Sequence, residues 1–333
     1  MIRSFVFTTQ GKLHSKDIEL SAMPGLLADA NVFLWLDLEK ATPEETKSIL
    51  ENLFHFHPLS IEDCVQPSPL PKVEEYSPKE GDQFKEPYLF MVIHAVDYSR
   101  KDGCFGTGEL DFFLGRNYLV TYHDLPLRSV ATVVERAVIG TMGIARAPDR
   151  IAYSLLDKLV DNYKPALDEF ALEIAELEQL ALQKPGKETL NQIFQVKKEV
   201  LHLRRIIGPQ REVLSRFAAG EFKVVRPHLV PYFRDVYDSL FHISEMAHQY
   251  TDSLTGILQV YLNMSSNQTG EVVKLLTLIT VITTPLMMIG TWYGMNFKDM
   301  PELDYAHAYP IAAGAMVLST LGTYLYFKKK NWF

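Results

Sequence analysis

The sequence predicts an α/β domain outside a bilayer, then a long stalk helix and two C-terminal transmembrane helices. Three observations carry that prediction. Residues 275–297 read LLTLITVITTPLMMIGTWYGMNF, with no charged side chain from Leu275 through Asn296. At about 1.5 Å per residue, such a helix crosses a hydrocarbon core of about 30 Å. Residues 306–327 form a second such stretch, uncharged apart from the titratable His307. The first 145 residues instead mix β-branched or aromatic runs of strand length with helical patterns.

Residues 2–8 read as a strand running into a turn at Gly11, and the first twenty residues hold no long apolar run with a basic flank, so no signal peptide is expected. Further strands are predicted at 32–36, 88–97, 109–114 and 118–123, the last two joined through the hairpin signal Gly115-Arg116-Asn117. Residues 43–56 and 125–141 read as helices. His55 and His57 do not share a helical face, and Pro58 is expected to end the helix, so they are not read as a metal pair. Together these elements make residues 1–145 a cytosolic α/β domain.

Residues 146–226 predict a helical hairpin, with one helix over 148–184, a break at Pro185-Gly186 and a second helix over 189–217. Its acidic side chains, Asp168, Glu169, Glu173, Glu176 and Glu178, read as a solvated face. From Pro227 no convincing breaker appears. Residues 227–274 are therefore a stalk helix that enters the bilayer as the first span, 275–297, with Pro285 kinking it. The outer loop 298–305 carries Asp299, Glu302 and Asp304 against one lysine, an acidity that concentrates cations. The second span, 306–327, stops at Lys328, Lys329 and Lys330, and the tail 328–333 is basic. A lysine run marks the cytosolic end of a span, so both termini face the cytosol.

The net charge of −8 combines an acidic soluble part with that basic tail. No basic stripe interleaved with aromatics is present, which excludes nucleic acid as a partner. Cys64 and Cys104 give neither a disulfide framework nor metal-ligand spacing. The chain has no phosphate-cradling GxxxxGK[ST] loop and no nucleophile–base pair at usable spacing, so an enzyme is not expected.

The polar residues of the first span are ordered. Thr277, Thr280, Thr284 and Thr291 fall at steps of three, four and seven on one helical face, with Met287 filling the gap and Gly294 continuing the line; Thr283 lies off it. Such a stripe serves either helix packing or pore lining, since threonine hydroxyls bond their own helix and small polar residues also join helices. A hairpin of two spans cannot enclose a pore, so a conduit needs several copies in a ring.

Tyr293-Gly294-Met295-Asn296-Phe297 resembles the YGMNF signature of the CorA family of divalent-cation channels, and it stands where that family has it, at the outer end of the penultimate span. His57-Pro58-Leu59-Ser60-Ile61-Glu62-Asp63 and Pro71-Lys72-Val73-Glu74 resemble the family's HPLxxED and PKxE stretches, and residues 232–238 its YFRDVYD stretch. The resemblance covers essentially the whole chain. It implies a ring-forming integral membrane protein, a homopentamer of this chain in the bilayer of the plasma (inner) membrane. Its cargo would be Mg²⁺, with Co²⁺ and Ni²⁺ beside it, and no organic cofactor would be needed.

By the same resemblance, Gly294, Met295 and Asn296 form the selectivity filter. Thr277, Thr280, Thr284, Met287 and Thr291 line the pore, Leu276 stands at a constriction, and Lys328 to Lys330 form a basic collar. Glu62, Asp63, Asp157 and Asp235 belong to regulatory Mg²⁺ sites between subunits. The chain departs from the family at Gly270, where Asn is usual, and at Thr284 and Met287, which exchange the usual Met and Thr. Two rivals remain. One is a zinc or proton-coupled zinc transporter of the same superfamily, against which Met295 and the lack of clustered histidines argue. The other is a membrane-tethered regulatory protein that binds a ligand through its α/β domain.

Overall fold

The computed structural model describes residues 1–80, 82–96, 106–183, 185–297, 300–330 and 332, the side chains of Thr141, Met142 and Leu303 excepted. Cys104, Lys298, Asp299 and the end of the strand expected at 88–97 lie outside the described residues. The chain divides into two compact units, one of residues 1–179 and 191–256, the other of residues 180–190 and 257–333.

The first unit is built on a seven-stranded sheet. Its strands are β1 (Ile2–Thr8), β2 (Leu13–Lys16), β3 (Val32–Glu39), β4 (Lys72–Tyr76), β5 (Tyr88–Ala95), β6 (Gly108–Leu114) and β7 (Tyr118–His123). They lie in the order β2-β1-β3-β7-β6-β5-β4. Only β3 and β7 pair in parallel, with Leu34 opposite Tyr118 and Glu39 opposite His123; every other neighbour is antiparallel. The hairpin expected at Gly115-Arg116-Asn117 is the β6–β7 connection.

Both faces of the sheet are covered, which is why its central strands are buried nearly throughout rather than on alternate residues. On one face α1 (Met23–Leu27), α2 (Pro43–Thr46) with its continuation as a π-helix (Lys47–Leu53), and α3 (Pro58–Val65) bury Leu34, Leu36, Tyr88, Phe90 and Phe113. Phe56 stacks there on Phe113 at 4.3 Å between ring centroids. α4 (Arg128–Ile139) packs on α5 (Pro148–Asp161), and α5 lies against β3, β6 and β7. α6 (Tyr163–Gln183) anchors itself by its first residue, since the fully buried Tyr163 hydroxyl donates to the His94 carbonyl at 2.9 Å.

A buried ionic set ties β1, β3 and β7 together. Asp37, wholly buried, accepts from Arg3 Nε at 3.0 Å and from Thr121 Oγ1 at 2.6 Å. His123 places Nε2 3.3 Å from Asp37 Oδ1 and Nδ1 2.6 Å from the Leu125 carbonyl. With acceptors at both ring nitrogens, the surroundings favour the doubly protonated imidazole. Burial opposes that charge, but the hydrogen bond and charge of Asp37 outweigh it and raise the histidine pKa.

Several element boundaries differ from expectation. Pro58 does not end a helix: the π-helix stops at Leu53, and Pro58 opens α3 as its first residue, where its missing N–H costs nothing. The single helix expected over 148–184 is two, because Pro165 has no N–H to bond residue 161 and crowds its carbonyl. The helix expected over 125–141 is the shorter α4, which ends at the left-handed Gly140. β2, β4, α1 and α3 are additional elements.

α7 (Lys187–Ala219) and α8 (Val230–Tyr293) follow, and α9 (Ala308–Lys329) closes the chain. Within the first unit α7 holds α8 through polar contacts, Lys197 Nζ to Thr255 Oγ1 at 3.0 Å and Arg204 to Thr251 Oγ1 at 3.3 Å. α8 and α9 are the two helices long and apolar enough to cross a membrane among the described residues, and their apolar windows are almost wholly unburied.

Candidate functional site

In the second unit, Thr277, Thr280, Thr284, Met287, Thr291 and Gly294 are all exposed. Leu278, Ile282, Pro285 and Ile289, at helical spacing, are buried or half-buried. At about 100° per residue the two sets occupy opposite sides of α8. Ile289 lines a cavity of ≈ 730 Å³ together with Ala312 and Ala315 of α9, so the packed side is turned toward α9 and the threonine side away from it. Leu276 is 64% exposed and lies at the margin of the stripe.

Each stripe hydroxyl donates to the carbonyl four residues earlier: Thr277 to Val273 at 2.8 Å, Thr280 to Leu276 at 2.8 Å, Thr284 to Thr280 at 2.6 Å and Thr291 to Met287 at 2.7 Å. Thr283, off the stripe, does the same toward Ile279. α8 ends at Tyr293, four residues before the end of the expected span at 297, so Gly294, Met295 and Asn296 leave the helix rather than extend it. A Cβ on Gly294 would lie 3.0 Å from the Gly290 carbonyl oxygen, a tight approach at the turn. Asn296 is exposed, with its amide bonded to no described residue.

Glu302 is exposed in a 3₁₀ turn, Pro301–Asp304, and lines the same ≈ 730 Å³ cavity as Ile289 and Tyr293. α9 runs two residues further than the expected span, so Lys328 and Lys329 occupy its last turn and Lys330 caps it, its N–H directed at the Tyr326 and Phe327 carbonyls. Cations there complement the negative end of the helix dipole.

The four expected regulatory carboxylates fall into two groups, both in the first unit. Glu62 and Asp63 sit on α3. Glu62 is exposed and lines a cavity of ≈ 800 Å³ with Glu51 and Asp82. Asp63 is engaged in an ion pair with Lys72 of β4. Asp157, on α5, and Asp235, in the second turn of α8, form the other group. Burial raises the Asp157 pKa, and the charges of Asp161 and Asp235 raise it further. Tyr153 faces the same charges, its hydroxyl pushed up to about 12 by burial and then by Asp157 and Asp235.

No group of three or more His, Cys, Asp or Glu that could hold a metal ion occurs among the described residues. The two groups are therefore not one cluster within a chain. Three neighbours were not singled out from sequence. Asp161 follows Asp157 at the i, i+4 spacing that puts both on one face, and Tyr153 precedes it by the same step. The role of Lys72 required the sheet, which brings β4 to α3.

The model of the family described as CorA-like Mg²⁺ transporter protein matches residues 30–329. The cobalt/magnesium transport protein CorA of Thermotoga maritima is 33% identical over 318 residues, 95% of this chain and 87% of the relative. The putative metal ion transporter YfjQ of Bacillus subtilis is 32% identical over 300 residues, 90% of each. Among solved structures, the complete CorA magnesium transporter from Methanocaldococcus jannaschii superposes with a TM-score of 0.80 at 18% identity, over 99% of this chain and 98% of that one. The family model spans nearly the whole chain and both relatives exceed 30% identity along it, so the chain belongs to the CorA-like Mg²⁺ transporter protein family.

Proposed function

We propose that this protein is a divalent-cation channel that imports Mg²⁺, with Co²⁺ and Ni²⁺ as further cargo, through a homopentameric ring in the plasma (inner) membrane. The observation that carries this reading is the exposed threonine face of α8, turned away from α9 and ending at Gly294-Met295-Asn296. A face that is exposed among the described residues of its own chain suits the axis of a ring.

Five copies of Asn296 at the outer mouth offer amide oxygens. Mg²⁺ gives up its water reluctantly and prefers octahedral oxygen ligands, so hydrogen bonds to the hydrated ion avoid most of the dehydration cost. Leu276 narrows the inner part of the path and Lys328, Lys329 and Lys330 collar the exit. No motor is required. A divalent ion moving inward gains about 4.6 kcal/mol per 100 mV, about a two-thousandfold accumulation.

Closure is governed by cytosolic Mg²⁺ held between Asp235 of one subunit and the Glu62/Asp63 region of the next, with Asp157 beside it. The donors are carboxylate oxygens, which suit a hard cation. The upward pKa of Asp157 reflects burial and then mutual repulsion with Asp161 and Asp235, and a bound cation relieves that repulsion. Loss of the ion restores it and loosens the ring.

The test is Mg²⁺ uptake into proteoliposomes under an inside-negative potential. Asn296→Ala is expected to abolish flux, and Asp235→Lys to leave flux less inhibited by internal Mg²⁺. Wild-type flux in Asn296→Ala removes the filter assignment. Flux with Zn²⁺ and none with Mg²⁺ moves the protein to the zinc-transporting rival, and no flux with either favours a tethered regulator.

A further inference from the structure

One end of the sheet gathers positive charge that a chain of net charge −8 does not lead one to expect. Arg116 in the β6–β7 turn, Arg146 at the entry to α5, and Lys223 and Arg226 in the connector from α7 to α8 line one cavity of ≈ 670 Å³. Its carboxylates are Glu86 and Asp149. Asp149 is already matched: 3% exposed, it accepts from the Arg226 backbone N–H at 3.1 Å, from Nε at 2.8 Å and from Nη2 at 2.7 Å.

That clamp satisfies Arg226 and Asp149 against each other. Arg116, Arg146 and Lys223 remain exposed, ion-paired with no described residue, and Glu86 is the single carboxylate left among the lining. α5 opens onto the same cavity, and its N-cap, Ala147, supplies no side-chain cap.

We infer that this cavity binds a polyphosphate anion, and that nucleoside triphosphates are its ligand class. Guanidinium groups take phosphate oxygens through forked hydrogen bonds, and a lysine adds a point charge. A single phosphate satisfies one of three cations that come from three separate chain segments, whereas a chain of phosphates satisfies them together. The volume falls within the range of small-ligand sites, about 300–1,000 Å³, and leaves room for a nucleoside. Bound phosphates would bridge the β6–β7 turn to the connector that leads into α8.

Isothermal titration calorimetry on the full-length protein in nanodiscs, in Mg²⁺-free buffer, tests this with ATP, inorganic tripolyphosphate and adenosine as probes. ATP and tripolyphosphate are expected to bind and adenosine not to. Arg116→Gln and Lys223→Gln are each expected to weaken binding by about tenfold. Both positions are exposed, so unchanged thermal unfolding of the variants accompanies that loss. No binding of either polyphosphate overturns the site, as does wild-type affinity in the double variant. Binding of tripolyphosphate alone overturns the nucleotide assignment. Because the readout is binding, failure here is distinct from failure of the protein to conduct.

Discussion

Lys72 of β4 forms an ion pair with Asp63 of α3, and the same ammonium lies 5.8 Å from the ring centroid of Phe90. The two sequence stretches that resemble family motifs in this domain thus meet through one salt bridge. On the proposed reading, a divalent cation reaching Asp63 has to compete with a positive charge already there.

Replacing Lys72 with Met is predicted to strengthen inhibition by internal Mg²⁺. The pair is partly exposed, so the effect is about two- to fivefold in the half-inhibiting concentration, equivalent to about 0.5–1 kcal/mol. Uptake into proteoliposomes at graded internal Mg²⁺ measures it; an unchanged or raised half-inhibiting concentration argues against competition at Asp63.

Leu276→Asn is predicted to raise the residual flux that persists at saturating internal Mg²⁺. On the proposed reading, a polar side chain would hold water in a passage that leucine would keep dry. Residual flux identical to wild type would place Leu276 outside the path.

For Asp157 the pH dependence has a definite sign. Its folded pKa lies above the unfolded value because of burial and the charges of Asp161 and Asp235. Folded protein therefore binds the proton more tightly, stability falls as pH rises through that interval, and the penalty is complete above it. Asp157→Asn should raise the thermal midpoint of Mg²⁺-free protein at pH 7, with the gain shrinking as the pH approaches about 4. Mg²⁺ should stabilise the wild type more than the variant. A lower midpoint at pH 7 contradicts this account.

Asp37→Asn is predicted to cost about 3 kcal/mol, since it leaves the buried His123 facing an uncharged partner. Burial favours neutral Asp37, but the hydrogen bond and charge of His123, then Thr121 and Arg3, hold its pKa low. That contribution is present above the ordinary carboxylate range and is lost on acidification. The raised His123 pKa acts in the opposite direction, contributing fully below its unfolded value near 6.5 and fading as pH rises through the folded one. Thermal unfolding across pH should show the wild type losing stability on the alkaline side and Asp37→Asn losing less.

The sheet's interior was legible because β1, β3, β5, β6 and β7 are runs of apolar and β-branched residues. Its edges were not. β2 reads LHSK and β4 reads KVEEY, and the charges that keep an edge strand from pairing with another chain also hide it from a hydrophobic pattern. α3 was missed because Pro58 has two meanings, terminator in a helix interior and favoured first residue at a helix start. In the candidate site, the threonine spacing could be read along one helix and the Gly294-Met295-Asn296 triplet directly after it in the chain. The nearness of Asp157 to Asp235 and of Lys72 to Asp63 depends on how separate elements pack, which no local spacing encodes.

The backbone bonds of the threonine stripe have one more consequence. Each hydroxyl proton on that face points back along the helix to a carbonyl, so only oxygen lone pairs remain directed outward. Water around a cation turns both polarised hydrogens outward and meets such a surface as donor to acceptor; water around an anion spends one hydrogen on the ion and has less to donate. If this face lines the path, as proposed, the helix itself would favour hydrated cations over hydrated anions, without a formal charge in the wall that could trap the ion it admits.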